Sequence, residues 1–308
     1  MKVARVTPHT GIGSREPGEK TPNPNSNLQL MQPEASPSTD PRETSPVEVL
    51  RHQLGRDSVR RPDVVAREEP LEIRIRGKSI AVTMRTPGYD AELAAGFLLS
   101  EGLIKERSDV VEIALCLETE SPGNILNVFL SPKVEVDFGR LTRHVFASSS
   151  CGLCGKASIE AVHQHFPPVS SKMVVSAELI ASLPQKMRQA QPAFAQTGGL
   201  HAAAIFDDKG NLLVLREDVG RHNAVDKVLG HAFLNNLLPL NAHILLVSGR
   251  TSFEILQKAL SASIPVIAAV SAPSSLAVEF AAASGQTLIG FLRGDSMNIY
   301  AGAARVSH

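Results

Sequence analysis

The segment Ser148-Ser-Ser-Cys-Gly-Leu-Cys-Gly155 puts two of the chain's three cysteines three positions apart on a glycine-flanked stretch. A helical pattern follows over residues 156–165. A cysteine just before a helix start meets unpaired backbone N–H groups and the positive end of the helix dipole. Both favour thiolate and pull the pKa below its unperturbed value of about 8.5. Gly152 and Gly155 let other backbone approach, and three serines keep the stretch polar. Cys151 and Cys154 are therefore the candidate catalytic thiols, suited to sulfur transfer. Zinc binding competes with that reading. It needs two more ligands, and His163 and His165, two apart on a helix, point to different faces. A thioredoxin-type pair normally follows a strand, and no aromatic residue immediately precedes Cys151. Cys116, inside an apolar run, reads as a buried strand residue.

Five further polar stretches fall at expected strand or helix ends. Thr197-Gly-Gly-Leu-His201 places two glycines before a strand, a shape suited to a ligand. The densest cluster is Arg216-Glu-Asp-Val-Gly-Arg-His-Asn-Ala-Val-Asp-Lys227, around a strand-to-helix junction. Helix starts bind anions, so Arg221, His222, Asn223, Asp226 and Lys227 are candidate binding residues. Ser248, Gly249 and Arg250 follow a parallel strand, where open α/β sheets take ligands. Thr251 with Glu254 predicts a capping box. Val270-Ser-Ala-Pro ends the next strand, and Arg293 and Asp295 follow the last one. Adjacent strand ends carrying polar loops point to a nucleotide-sized ligand. Neither GxxxxGK[ST] nor GxGxxG is present, which argues against an NTP hydrolase or a dehydrogenase.

These residues need a frame. The chain has 308 residues, 43% of them hydrophobic, enough for two modest domains or one large one. Residues 1–58, rich in Pro, Ser and Thr, read as a disordered tail. Residues 59–145 read as a small α+β unit: a hairpin around Gly77-Lys78, a helix from Ala91, and strands near 110–117 and 125–130. Residues 146–308 alternate strand and helix, which predicts a parallel sheet with right-handed crossovers and an added hairpin at Asp208-Lys-Gly-Asn. A helix over 177–190 is expected to break or kink at Pro184. The fold class expected is α/β, a three-layer α/β/α core beside the smaller unit.

Composition excludes several functions. Lys+Arg and Asp+Glu both number 31 and aromatics are 4%, so neither global charge nor stacking platforms draw nucleic acid. No stretch is apolar for the length of a membrane helix, and three cysteines suit a reducing cytoplasm rather than a disulfide scaffold.

Taken together, Thr86-Pro, Gly96-Phe-Leu-Leu-Ser-Glu-Gly102, Cys151-Gly-Leu-Cys-Gly, Thr197-Gly-Gly-Leu-His, the 216–227 motif, Ser248-Gly-Arg, Ser271-Ala-Pro and the closing Asn298-Ile-Tyr300 resemble the formate dehydrogenase accessory sulfurtransferase family, FdhD. The resemblance covers residues 60–302. It implies a cytidine-deaminase-like core, a homodimer, and a sulfurtransferase that takes sulfur from a cysteine desulfurase. The acceptor implied is the molybdenum or tungsten bis-guanine-dinucleotide pterin cofactor, which then serves formate dehydrogenase. Cys151 would carry the persulfide. The family's cofactor segment falls on Phe291, Leu292, Arg293, Gly294, Asp295 and Ser296. No resident metal is implied. Deaminases keep a His-x-Glu element, and Ala203 stands where that glutamate would be, so deamination does not come with the fold. A zinc-binding cofactor chaperone and a thiol-disulfide oxidoreductase are the alternatives.

Overall fold

Alternating apolar residues build the first sheet. Leu71, Ile73 and Ile75 point inward from β3 (Glu69–Ile75), and a two-residue turn leads into β4 (Lys78–Arg85). Both turn residues, Arg76 and Gly77, have positive φ, the geometry that matches the twist of a tight hairpin. β5 (Val110–Leu115) and β6 (Ile125–Leu130) complete a four-stranded sheet of order β4-β3-β6-β5, with β3 and β6 parallel. The structure is a computed structural model, and it describes residues 40–116, 123–138, 159, 162–163 and 165–307.

A larger sheet follows. It comprises β8 (His201–Asp207), β9 (Leu212–Asp218), β10 (His243–Val247), β11 (Val266–Ala269), β12 (Thr287–Arg293) and β13 (Ser296–Ala301), in the order β13-β12-β11-β10-β8-β9. β10, β11 and β12 are parallel, and the β8–β9 and β12–β13 pairs are antiparallel. Successive residues face opposite sides. Ala203, Ile205, Leu245, Val247 and Ile267 share a core with α1 (Asp90–Ser100), α4 (Arg221–Leu234), α5 (Phe253–Ser261) and α6 (Ser275–Ala283). Ala202, Ala204, Phe206, Ile244 and Leu246 share a second core with Ile180, Leu183 and Met187 of α2 (Ala177–Gln189). Helices thus cover both faces of a mixed α/β sheet. A short α3 (Pro192–Thr197) leads into β8, and β7 (Val175–Ser176) pairs with β14 (Val306–Ser307).

The small sheet and the large one are joined through α1 and α4. A Cβ added at Gly96 would lie 1.9 Å from the Asp226 carbonyl oxygen, and one at Gly230 would lie 1.8 Å from that of Glu92. Only glycine at both positions lets the helices cross this closely. Side chains of both sheets then merge into one hydrophobic cluster.

Several expectations differ from what forms. Within the segment read as tail, β1 (Thr44–Arg51) pairs along its length with β2 (Val59–Ala66). Pro46 and Glu48 mask the alternation there. Helix α2 runs through Pro184, because Ile180, Leu183 and Met187 bury one face along both halves. β13 stands where only a loop after the last strand was expected. Cys116 is not buried in a strand: it lies just past β5, half-buried, with its N–H donating to the Ile125 carbonyl at 2.8 Å. The capping box is absent. Ser252 is the N-cap of α5, and Thr251 instead bridges to Pro273.

Candidate functional site

The parallel strands β10 and β11 end side by side, and β12 ends next to them. Because β8 runs antiparallel to β10, the start of β8 and the end of β9 reach the same rim, with His201 opposite Asp218. Ser248 prolongs the β8–β10 ladder: its N–H donates to the Ala202 carbonyl (3.0 Å) and its Oγ accepts from the Ala202 N–H (2.9 Å). Gly249 comes next. A Cβ there would lie 3.2 Å from His201 Nδ1 and 3.4 Å from Arg221 Cδ, so its absence lets both side chains close over the backbone. Arg250, Phe291, Arg293, Gly294, Asp295 and Ser296 are exposed on the same rim. Gly294 and Asp295 form the β12–β13 turn, and Arg293 Nε donates to the Val270 carbonyl at 3.2 Å.

Three helices begin at this rim. α4 and α5 start at Gly220 and Ser252 with no side-chain cap, whereas Ser274 caps α6 by accepting from the Ala277 N–H at 3.3 Å. Uncapped N–H groups and converging dipole ends favour an anion. Burial, then the charges of Arg221 and Arg250, push the His201 ring below its usual range. Burial, then Arg221 and Lys258, push His222 down to about 3. Both rings are neutral near pH 7. A neutral His222 Nε2–H can donate to Glu254 Oε2 (3.0 Å) or Ser252 Oγ (3.1 Å), so the rim's positive charge comes from arginine and not histidine.

The 216–227 motif divides. Arg221 and His222 face the rim, and the rest faces inward. Lys227 and Asp218 form an ion pair at 2.7 Å with both side chains essentially without exposure. Lys227 also donates to the Thr86 carbonyl (2.8 Å), and Asp218 accepts from the Thr86 N–H (3.1 Å). Asn223 donates to the Met84 carbonyl (2.8 Å) and to Asp218 (2.9 Å). Asp226 is held by Lys258 at 2.7 and 2.9 Å. Arg216 pairs with Glu92 at 2.6 Å, and Glu217 accepts from the first N–H groups of α3. Asn223, Asp226 and Lys227 are therefore corrected from ligand-binding candidates to a buried seam between the sheets. Their polar atoms are spent on protein partners, and no open surface reaches them. Leu292 likewise turns into the second core. Thr197 Oγ1 donates to the Ala193 carbonyl (2.9 Å) and accepts from the Gly199 N–H (3.3 Å), so it shapes the loop before His201. Sequence reasoning missed Ser252 and Glu254 as partners of His222, which no local pattern signals.

Cys151 and Cys154 lie outside the described residues. The helix after them is visible at Ile159, Val162, His163 and His165. His163 Nε2 sits 3.0 Å from Ser284 Oγ, and its ring lies 5.7 Å from that of Phe280. Ser284 is the C-cap of α6, the end away from the rim, about 13 Å along that nine-residue helix. Among the described residues no group of three His, Cys, Asp or Glu is arranged to hold a metal, and no helix is long and apolar enough to cross a membrane.

The architecture and motifs find a match across most of the chain. Residues 66–307 match the FdhD/NarQ family. The chain belongs to the FdhD/NarQ family. The sulfur carrier protein FdhD of Mycobacterium tuberculosis is 52% identical over 267 residues, covering 84% of this chain and 97% of that one. The protein of the same name from Streptomyces coelicolor is 53% identical over 273 residues, covering 86% and 96%. A solved structure from Desulfotalea psychrophila, described as a formate dehydrogenase accessory protein, superposes with a TM-score of 0.68 at 26% identity, over 86% of this chain and 99% of that one.

Proposed function

We propose that this chain is a sulfur carrier that accepts a sulfane sulfur on Cys151 and delivers it to a guanine-dinucleotide pterin cofactor of molybdenum or tungsten, for use by formate dehydrogenase. The observation that carries the sulfur role is identity above 50% to sulfur carrier proteins over more than four-fifths of the chain. The anionic substrate reading is supported by Arg221, Arg250 and Arg293 on a rim where two uncapped helix starts converge.

The chemistry balances without a resident metal. The Cys151 thiolate attacks the outer sulfur of a cysteine desulfurase persulfide, and a Cys–S–SH forms here as the donor's thiolate leaves. Attack by the Cys154 thiolate on the inner sulfur releases sulfide and leaves a Cys151–Cys154 disulfide, which a cellular dithiol then reduces. Helices on both faces of the sheet support a deaminase-like layering, and the reading includes a cytoplasmic homodimer. A strain carrying Cys151→Ala is expected to make folded, GDP-binding protein and inactive formate dehydrogenase. Full formate dehydrogenase activity in that strain would refute the carrier role.

A further inference from the structure

The ribbon of β1 and β2 stands apart from both cores. Eight residue pairs align its strands, from Thr44–Ala66 to Arg51–Val59, and the Arg67 N–H donates to the Glu43 carbonyl (2.9 Å) where the ribbon meets the body. Among the described residues, none of the ribbon joins either hydrophobic cluster. An isolated two-stranded hairpin is marginal in water unless something covers it. Its far end is nonetheless a formed turn: the Arg56 N–H donates to the Gln53 carbonyl (3.0 Å), and His52 Nδ1 lies 2.8 Å from Ser58 Oγ. That end displays apolar surface, with Leu54 90% exposed, Leu50 62% and Val59 60%. Arg51, Arg56 and Arg61 are exposed around them and have no ion-pair partner among the described residues, whereas Arg60 pairs with Glu48 at 3.2 Å. The near end of the ribbon abuts the rim. A Cβ at Gly199, two residues before His201, would lie 3.6 Å from the Ala66 Cβ.

We propose that the ribbon tip is the docking surface for formate dehydrogenase, the protein that takes cargo from this rim. This rests on the sulfur-carrier reading and adds the surface at which the recipient is held. Position favours that occupant: the ribbon is rooted beside the rim, so a protein that collects cargo there meets it. Chemistry fits a protein surface with an apolar hollow and an acidic border. Apolar anchors supply affinity once desolvated, and guanidinium groups around them steer the encounter and set its register. Distribution argues against a second copy. The family match begins at residue 66, past nearly all of the ribbon, so the ribbon is outside the frame that the family shares. The Mycobacterium tuberculosis and Streptomyces coelicolor relatives match over 84% and 86% of this chain, more than residues 66–308 can supply, so those matches run into the ribbon. A surface held in common with such relatives but lying outside the family frame suits a partner enzyme that differs between groups of organisms.

Immobilised formate dehydrogenase, prepared without its cofactor, reports binding of the full chain by biolayer interferometry. Leu54→Asp combined with Arg61→Glu is expected to weaken that binding roughly tenfold or more. Melting temperature, oligomeric state, GDP affinity and persulfide loading by a cysteine desulfurase are expected to stay unchanged, because the tip touches neither core. Arg51→Ala combined with Arg61→Ala is expected to weaken binding less and to flatten its dependence on salt. Equal affinity of the Leu54→Asp/Arg61→Glu variant and the unaltered protein for formate dehydrogenase would overturn the proposal. So would a variant that turns monomeric, loses persulfide loading, or loses only binding to phosphatidylglycerol vesicles, which would assign the tip to a second copy, the sulfur donor or a membrane. No measurable binding by the unaltered protein would overturn it as well. If that protein still supports formate dehydrogenase activity in cells, the sulfur-carrier reading stands and only the role of the ribbon falls; if it does not, both fall.

Discussion

The seam between the two sheets and the rim at the strand ends are both rich in charge, and they use it oppositely. At the seam, Asp218, Lys227, Asp226 and Lys258 are buried in pairs whose lone pairs and protons are matched by Thr86, Asn223 and Ser100. At the rim, Arg250 and Arg293 are exposed, and two helix starts lack a side-chain cap. A buried pair is close to neutral for stability while intact and costly when halved, because the survivor has no water to turn to. An exposed cation contributes little to stability and remains free to meet a ligand. The segment with the strongest motif character is thus mostly architecture, and the ligand-facing groups come from short, scattered loops.

Matched substitutions break this contrast most directly. Lys227→Met strands Asp218 and is expected to cost about 3–5 kcal/mol in urea unfolding. Arg250→Ala is expected to shift stability by no more than about 0.5 kcal/mol while weakening GDP binding in calorimetry. Equal stability losses in the two would erase the distinction between seam and rim.

A smaller effect sharpens it. Glu43 is buried beside the seam; burial, then the charge of Glu217, pushes its carboxyl up to about 7 from an ordinary 4.5. The folded state therefore holds its proton over a range where the unfolded state has lost it. That contribution to stability is greatest below about pH 4.5, declines as pH rises toward 7, and is flat beyond. Glu43→Gln is expected to be more stable than the unaltered protein by about 1–3 kcal/mol at pH 8, with the gap closing toward pH 4.5. A gap that does not change with pH would show that Glu43 ionises freely.

Much of the frame was legible in the sequence because its signals are local. Leu71, Ile73 and Ile75 alternate, and Asp208-Lys-Gly-Asn turns the β8–β9 hairpin where expected. β13 escaped because Ser296-Met-Asn-Ile-Tyr alternates weakly and follows a segment read as a ligand loop. The seam escaped for a different reason. Asn223 and Lys227 find Met84 and Thr86 across separations of 139 and 141 residues. A charged residue facing water and one facing such a partner look alike in a linear chain. Phe291 has a positive φ of 51°, and its N–H donates to the Ser271 carbonyl on another loop, a partner that no local pattern signals.

The account turns on sulfur carried at Cys151. Purified protein incubated with a cysteine desulfurase and cysteine, then measured by intact mass and peptide mapping, tests this directly. The account predicts a gain of one sulfur on the peptide holding Cys151, removed by a dithiol reductant. An unchanged mass, the sulfur on Cys116 instead, or stoichiometric zinc held by Cys151 and Cys154 would contradict it.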